Sequence, residues 1–318
     1  MNHLNYAFDG KNQLWRYIVL FILAFVIANT VGVIPLVILI MVAALKSGGM
    51  GQHPENMMDF TAYGIDPNVG LAAILFSFLA ALIGFALLLK PFHKRTLTGT
   101  INGTDNIRWE RIFTGFGIWA VFSFISVAIT YLYAGDAMKF QFRLASFVPL
   151  FFISLLFIPF QTSFEEITIR GYLMQGAATH THSRIWALVI TSLIFGLLHS
   201  FNPEVKEYGF FASMPQYMGF GAAFALITLL DDGVELAMGM HAANNFFSAI
   251  LLTNKHSAFV TPAIFETEKV NVLVETVSLF IFAAITIFIL SKKYRWNWRI
   301  LTQPVTPENK SSETVGLN

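Results

Sequence analysis

The 318-residue chain contains no cysteine. That excludes disulfides, thiolate metal ligands and a thiol nucleophile. Charge is scarce: Asp, Glu, Lys and Arg make up only 12% of the residues, about half of what a soluble domain carries. A net charge of +1 supplies no basic field for nucleic acid. There is no internal repeat, no second soluble domain and no His-Glu-x-x-His helix to mark a metalloprotease by itself. Apolar residues fill the space these absences leave. They are 55% of the chain, with 33 phenylalanines and a mean hydropathy of +0.62. The fold class read from this is all-α: a polytopic membrane bundle in contact with lipid, in a multi-pass protein of the cell membrane.

Windows of about 19 residues pick out eight expected spans: 15–45, 70–90, 111–133, 145–178, 184–201, 208–230, 233–253 and 270–291. The first run is too long for a signal peptide, and Asn29 and Pro35 inside it point to a kink. The polar segment 46–69 reads as an extramembrane loop, and the tail after Trp298 as disordered. With the N-terminus cytoplasmic, fourteen of the twenty Lys and Arg fall on one side. The expected topology is therefore N-in and C-in, with an even number of spans. Three regions follow: N-terminal helices and loops (1–144), a polar-motif core (145–253), and a last span with its tail (254–318).

One stretch contradicts the oil around it. "FEEITIRGYL", residues 164–173, places Glu165, Glu166 and Arg170 inside the fourth span. On a helix, Glu166 and Arg170 share a face in the favourable acid-first order, so they read as an ion pair. Glu165 is left without a local partner, on a polar stripe with Gln161, Thr168 and Tyr172. An unpaired carboxylate in a low-dielectric site holds its proton more tightly, as a general base or acid near neutral pH requires. The next span carries His199 in "FGLLHS". The midpoint between positions 165 and 199 is residue 182, in "HTHSR", where Ser183 is a good N-cap. A hairpin folded there brings Glu165 and His199 to one depth, roughly 25 Å from the turn. The seventh span adds His241 and Asn245 at i, i+4, with Ser248 one turn on and Asn244 beside them. Polar side chains in spans are costly and face a bundle interior or cavity.

These residues, in this order, resemble the CAAX protease and bacteriocin-processing family of intramembrane proteases, related to type II CAAX prenyl endopeptidases. The three parts of the pattern are Glu165-Glu166-x-x-x-Arg170, Phe195-x-x-x-His199 and His241-x-x-x-Asn245, spread over about 145–250. The resemblance implies an endopeptidase acting on membrane-associated peptide or protein substrates. Glu165 and His199 would activate water, His241 and Asn245 would stabilise the oxyanion or share a metal, and Glu166 and Arg170 would hold the constellation. Two readings of cofactor stay open: zinc on Glu165, His199 and His241, or a glutamate-dependent mechanism with no metal. The alternative function is a non-catalytic membrane protein, an immunity or scaffold factor or a small transporter, using the same polar cavity for binding. Elsewhere, His180 and His182 read as solvated turn residues. Asp231, Asp232 and Glu235 read as a water-exposed acidic loop. "GFGAAFA", 219–225, reads as a close helix contact and not a nucleotide loop.

Overall fold

A computed structural model of the chain describes residues 3–48 and 55–307. Helices dominate it. Leu14–Ile27 (α1) and Ile34–Ser47 (α2) are joined through a π stretch, Ala28–Gly32, and form one long element. Then come Pro67–His93 (α3), Leu97–Asn102 (α4), Trp109–Ala134 (α5) and Leu144–Glu166 (α6). A second π stretch, Ile167–Leu173, leads from α6 into Met174–Thr181 (α7). The remainder is Arg184–Leu198 (α8), Pro203–Tyr208 (α9), Phe210–Asp231 (α10), Glu235–Leu251 (α11) and Val272–Tyr294 (α12). Three short strands, Met138–Phe140 (β1), Leu252–Thr253 (β2) and Phe265–Thr267 (β3), clip loops together in the order β1-β3-β2. β3 is antiparallel to β1 and parallel to β2.

Among the described residues six helical stretches are long and apolar enough to cross a membrane: Leu14–Ser47, Pro67–His93, Trp109–Ala137, Leu144–Thr181, Phe210–Asp231 and Val272–Tyr294. The chain is a multi-pass membrane protein. Two of the eight expected spans are shorter than expected. α8 has 15 residues, roughly 22 Å of helix, and α11 has 17, roughly 26 Å; a hydrocarbon core is about 30 Å. α8 ends early because the chain turns at His199 and runs into Asn202-Pro203, where a residue before proline leaves the helical region. α11 packs chiefly on α5 and α6. It is wrapped by protein, so its sequence need not match lipid. The first span is the opposite case: Leu14, Ile18, Ile22 and Val26 are exposed along one side, the surface that faces acyl chains.

Both ends of the described chain meet at one end of the bundle. The His3 amide donates to Asp232 Oδ1 (3.1 Å), and Gln175 Nε2 donates to the His3 carbonyl (2.7 Å). At the other terminus, Val305 N donates to the His182 carbonyl (3.1 Å), and Arg184 Nη1 to the carbonyls of Gln303 and Pro304. Termini on one side require an even number of crossings, as expected. The tail is a partial correction. Residues 298–305 are ordered, with Val305 fully buried, because Arg184 and the 182–184 turn capture their carbonyls; 308–318 lie outside the described residues.

The acidic cluster at this end is a second correction. Asp231 and Glu235 are buried, not solvated. Arg108 Nη2 sits 2.6 Å from Glu235 Oε2 and 3.3 Å from Asp231 Oδ2, and Trp296 Nε1 donates to Asp231 Oδ1 (3.0 Å). An arginine from the loop before α5 thus neutralises two carboxylates and closes the base of the bundle.

Close helix approach is set by glycine. A Cβ at Gly221, within 219–225, would stand 2.9 Å from the Ser192 backbone, so α10 touches α8 there. At Gly239 a Cβ would lie 2.0 Å from the Ile112 carbonyl oxygen, so α11 touches α5. Gly117, also on α5, would meet nothing within 4 Å. Gly239→Ala is therefore expected to lower the unfolding free energy in detergent by about 1–3 kcal/mol. Gly117→Ala should be neutral or stabilising by less than about 1 kcal/mol. Paired denaturation curves of the two variants check this.

Candidate active site

The fourth span runs through the charged stretch without ending, but not as one regular α-helix. Its π stretch begins directly after Glu166. The wider turn splits the expected polar stripe. Gln161, Glu165 and Thr168 line a cavity of about 520 Å³. Tyr172 turns away to bond His93 Nε2 (2.6 Å) and the Arg16 carbonyl (3.0 Å). The first span's π stretch lines the same cavity through Ala28 and Asn29. Such insertions recur where a helix must aim a side chain off its regular register.

The hairpin folds where the sequence placed it. His182 takes a left-handed conformation (φ +52°), and Ser183 Oγ accepts from Trp186 N (3.3 Å) to cap α8. Glu165 Oε2 then stands 3.9 Å from His199 Nε2 and 3.7 Å from His241 Nε2. The side chains of Glu165, His199 and His241 keep 15%, 20% and 7% of their exposure, so the cluster opens only to the cavity.

Each imidazole is held by its other nitrogen. His199 Nδ1 lies 2.7 Å from the Phe195 carbonyl, which only accepts, so Nδ1 carries the proton. His241 Nδ1 lies 2.7 Å from Glu166 Oε1, again an acceptor when ionised. In neutral imidazoles both Nε2 atoms therefore present lone pairs toward Glu165 Oε2, which has no hydrogen-bond partner in the protein. The His199 ring also stacks on Tyr217 at 4.7 Å.

Glu166 does more than pair with arginine. It bonds Arg170 Nη1 at 2.9 Å, with both side chains fully buried, and also orients His241. Arg170 lies over the Phe195 ring with its Cζ at 4.0 Å. The phenylalanine of "FGLLH" thus supplies a π face for the buried cation. Glu165 is not without a local partner. Its Oε1 accepts from Gln161 Nε2 one turn earlier, and Gln161 Oε1 accepts from Asn245 Nδ2 (3.0 Å). Asn244, beside it, bonds Asn245 and accepts from Trp119 Nε1 (3.1 Å). Ser248 is exposed and lines the cavity, and His180 and His182 are exposed at the turn. Sequence reasoning missed Trp119, Tyr217 and the bonding of Gln161. A tryptophan inside an apolar span is itself a signal, because a buried indole N–H seeks an acceptor.

Residues 144–247 match the family model described as type II CAAX prenyl endopeptidase Rce1-like. Over this segment the chain is similar to the CAAX protease family. The segment contains Glu165, Glu166, Arg170, His199, His241 and Asn245, and leaves out α1 to α5 and α12. The whole chain is similar to the uncharacterized protein YyaK of Bacillus subtilis (strain 168), at 27% identity over 277 residues, 85% of this chain and 89% of that protein. No solved structure matches the chain significantly.

As placed, no three His, Asp or Glu side chains among the described residues form a group that holds a metal ion. Glu165, His199 and His241 are the donor types that zinc takes. Their separations of 3.7 and 3.9 Å exceed the roughly 3.3 Å between two ligands of tetrahedral zinc. The donor chemistry fits zinc, and holding an ion would draw each pair closer by roughly half an ångström; the reaction is derived from the chain's own residues.

Farther along the cavity wall, past Tyr217, lies Glu204 of α9, outside the spans. Burial pushes its carboxyl above the usual range.

The buried pair carries a stability prediction. Arg170→Met leaves the Glu166 carboxylate without its cation and should cost about 3–5 kcal/mol. Glu166→Gln combined with Arg170→Met should recover most of that loss, because the uncompensated charge goes with it. Chemical denaturation of the three purified proteins measures both.

Proposed function

We propose that the chain is an intramembrane endopeptidase that hydrolyses peptide bonds of membrane-associated peptide or protein substrates, with the attacking water activated by Glu165 and His199. The observation that carries this reading is the meeting of Glu165 Oε2 with two imidazole Nε2 atoms at 3.7 and 3.9 Å. Three lone-pair-bearing atoms at that range repel one another unless an O–H donor lies between them, and a water fits such a gap. One O–H would point to Glu165 and the other to His199.

The chemistry follows from that placement. The water oxygen attacks the substrate carbonyl carbon and its proton passes to Glu165. A carbon–oxygen bond forms, and the carbonyl electron pair moves onto its oxygen. His241, when protonated, donates to that oxyanion through Nε2, and Asn245 offers the amide N–H that Gln161 does not use. The proton on Glu165 then goes to the amide nitrogen. The carbon–nitrogen bond breaks, leaving a carboxyl group and an amine. Phe25, Phe78, Phe164 and Phe195 supply apolar walls to the cavity, which suit a chain segment drawn from the bilayer and keep bulk water away from the charges.

A zinc-held water is the second reading, favoured by the unpartnered Glu165 Oε2. Glu165, His199 and His241 would be the ligands, and the ion would supply a water ionised near neutral pH.

Purified protein in detergent or nanodiscs should cleave a transmembrane peptide library. Glu165→Gln and His199→Ala should each lower kcat/KM by on the order of 10²–10⁴, and Asn245→Leu by about 10². Full turnover in the Glu165→Gln protein would end the assignment. Exhaustive chelation should leave turnover intact; activity lost to chelator and restored by zinc alone would put the three side chains on a metal instead.

A further inference from the structure

Four hydrogen bonds run in one direction into Glu165. Trp119 Nε1 donates to Asn244 Oδ1 (3.1 Å), Asn244 Nδ2 to Asn245 Oδ1 (3.0 Å), and Asn245 Nδ2 to Gln161 Oε1 (3.0 Å). Gln161 Nε2 then donates to Glu165 Oε1. The direction is not arbitrary. A carboxamide can be turned over, exchanging its donor and acceptor ends at little cost in shape. An indole cannot, because Nε1–H only donates. With Trp119 at the head of the line, Asn244 must present oxygen to it and therefore its NH₂ to Asn245. Each amide passes the same constraint to the next, and the Glu165 carboxylate, which only accepts, demands the same direction from the other end.

The arrangement also divides the work of the carboxylate. Oε1 is committed to Gln161, while Oε2 faces the two imidazoles. Trp119 is 3% exposed and Gln161 4%, so neither is free to exchange partners with bulk water. Trp119 lies on α5, outside the segment that matches the family model.

We propose that Trp119, Asn244, Asn245 and Gln161 form a one-way hydrogen-bond relay that fixes the orientation of Glu165, with Trp119 anchoring its far end from outside the segment that matches the family model. The inference rests on the reading of Glu165 as the base. Gln161 and Trp119 are positioning residues in this account, and Asn245 acts on Glu165 through Gln161 as well as facing the substrate. Without the indole N–H, Asn244 Oδ1 loses its donor and the line is held from the Glu165 end alone, because a carboxylate only accepts. The amides are then tethered less firmly, and Glu165 is held less firmly toward the imidazoles.

Two measurements test the relay. The first is kinetic, with Trp119→Phe keeping the aromatic packing and Gln161→Met keeping the volume. Gln161→Met should lower kcat about tenfold or more with KM changed less than about threefold, and Trp119→Phe should lower kcat by a smaller factor. The double variant should be no worse than Gln161→Met alone, because Trp119 acts only through Gln161. Multiplying effects, or a loss that falls on KM, would overturn the relay. The second needs no turnover. The indole ¹⁵N–¹H resonance of Trp119, assigned with Trp119→Phe, should shift when Gln161→Met or Glu165→Gln is made, while those of the other five tryptophans stay in place. An unmoved Trp119 signal would overturn the relay even in an active protease. A moved signal in a protein that cleaves no peptide would leave the relay standing and remove the protease reading.

Discussion

The Glu166 carboxylate is the point on which the site depends. It is fully buried, and one oxygen serves both Arg170 at 2.9 Å and His241 Nδ1 at 2.7 Å. A charge at this depth persists only if its counter-ion is equally buried and well placed. Arg170 meets that need from the same helix, and Phe195 of α8 covers the guanidinium from above. One acidic group therefore joins the fourth span, α8 and α11. Around it, His241 is turned so that its Nε2 faces Glu165, and the neighbouring carboxylate is released from pairing with arginine to face the imidazoles.

Irregular helix geometry is what makes the arrangement reachable. Both π stretches, 28–32 and 167–173, border the cavity. In the fourth span the widened turn separates Glu165, which lines the cavity, from Tyr172, which joins a second buried polar cluster with His93 and Arg95 at the base of the bundle. The short α8 has a matching role. By ending at Leu198 it stops at the level of Glu165, and His199 caps the helix end with its ring turned inward. The loss of two long spans is thus tied to the building of a polar floor inside the bundle.

Much of the site was legible because it is written in helical spacing. The i, i+4 relation of Glu166 and Arg170, the hairpin centred on residue 182 with its Ser183 cap, and the placement of His241 and Asn245 on one helix all follow from periodicity. Element lengths were less legible. A hydropathy window registers residues 199–201 as span although the chain has already turned there. The acidic residues 231, 232 and 235 looked solvated because Arg108, their neutralising partner for Asp231 and Glu235, lies more than 120 positions earlier in the chain.

The sequence by itself determined that the chain sits in a membrane, that a carboxylate and two imidazoles fall on separate helices, and that an acid and a base of the fourth span neutralise each other. These depend on composition and on the pitch of one helix, both local properties. The tertiary structure decided which nitrogen of each histidine faces the cavity, that Glu166 orients His241, and that an indole on α5 and three amides line up, donor to acceptor, ending on Glu165. Hydrogen-bond direction between distant segments depends on how helices dock, and no single helix contains that information.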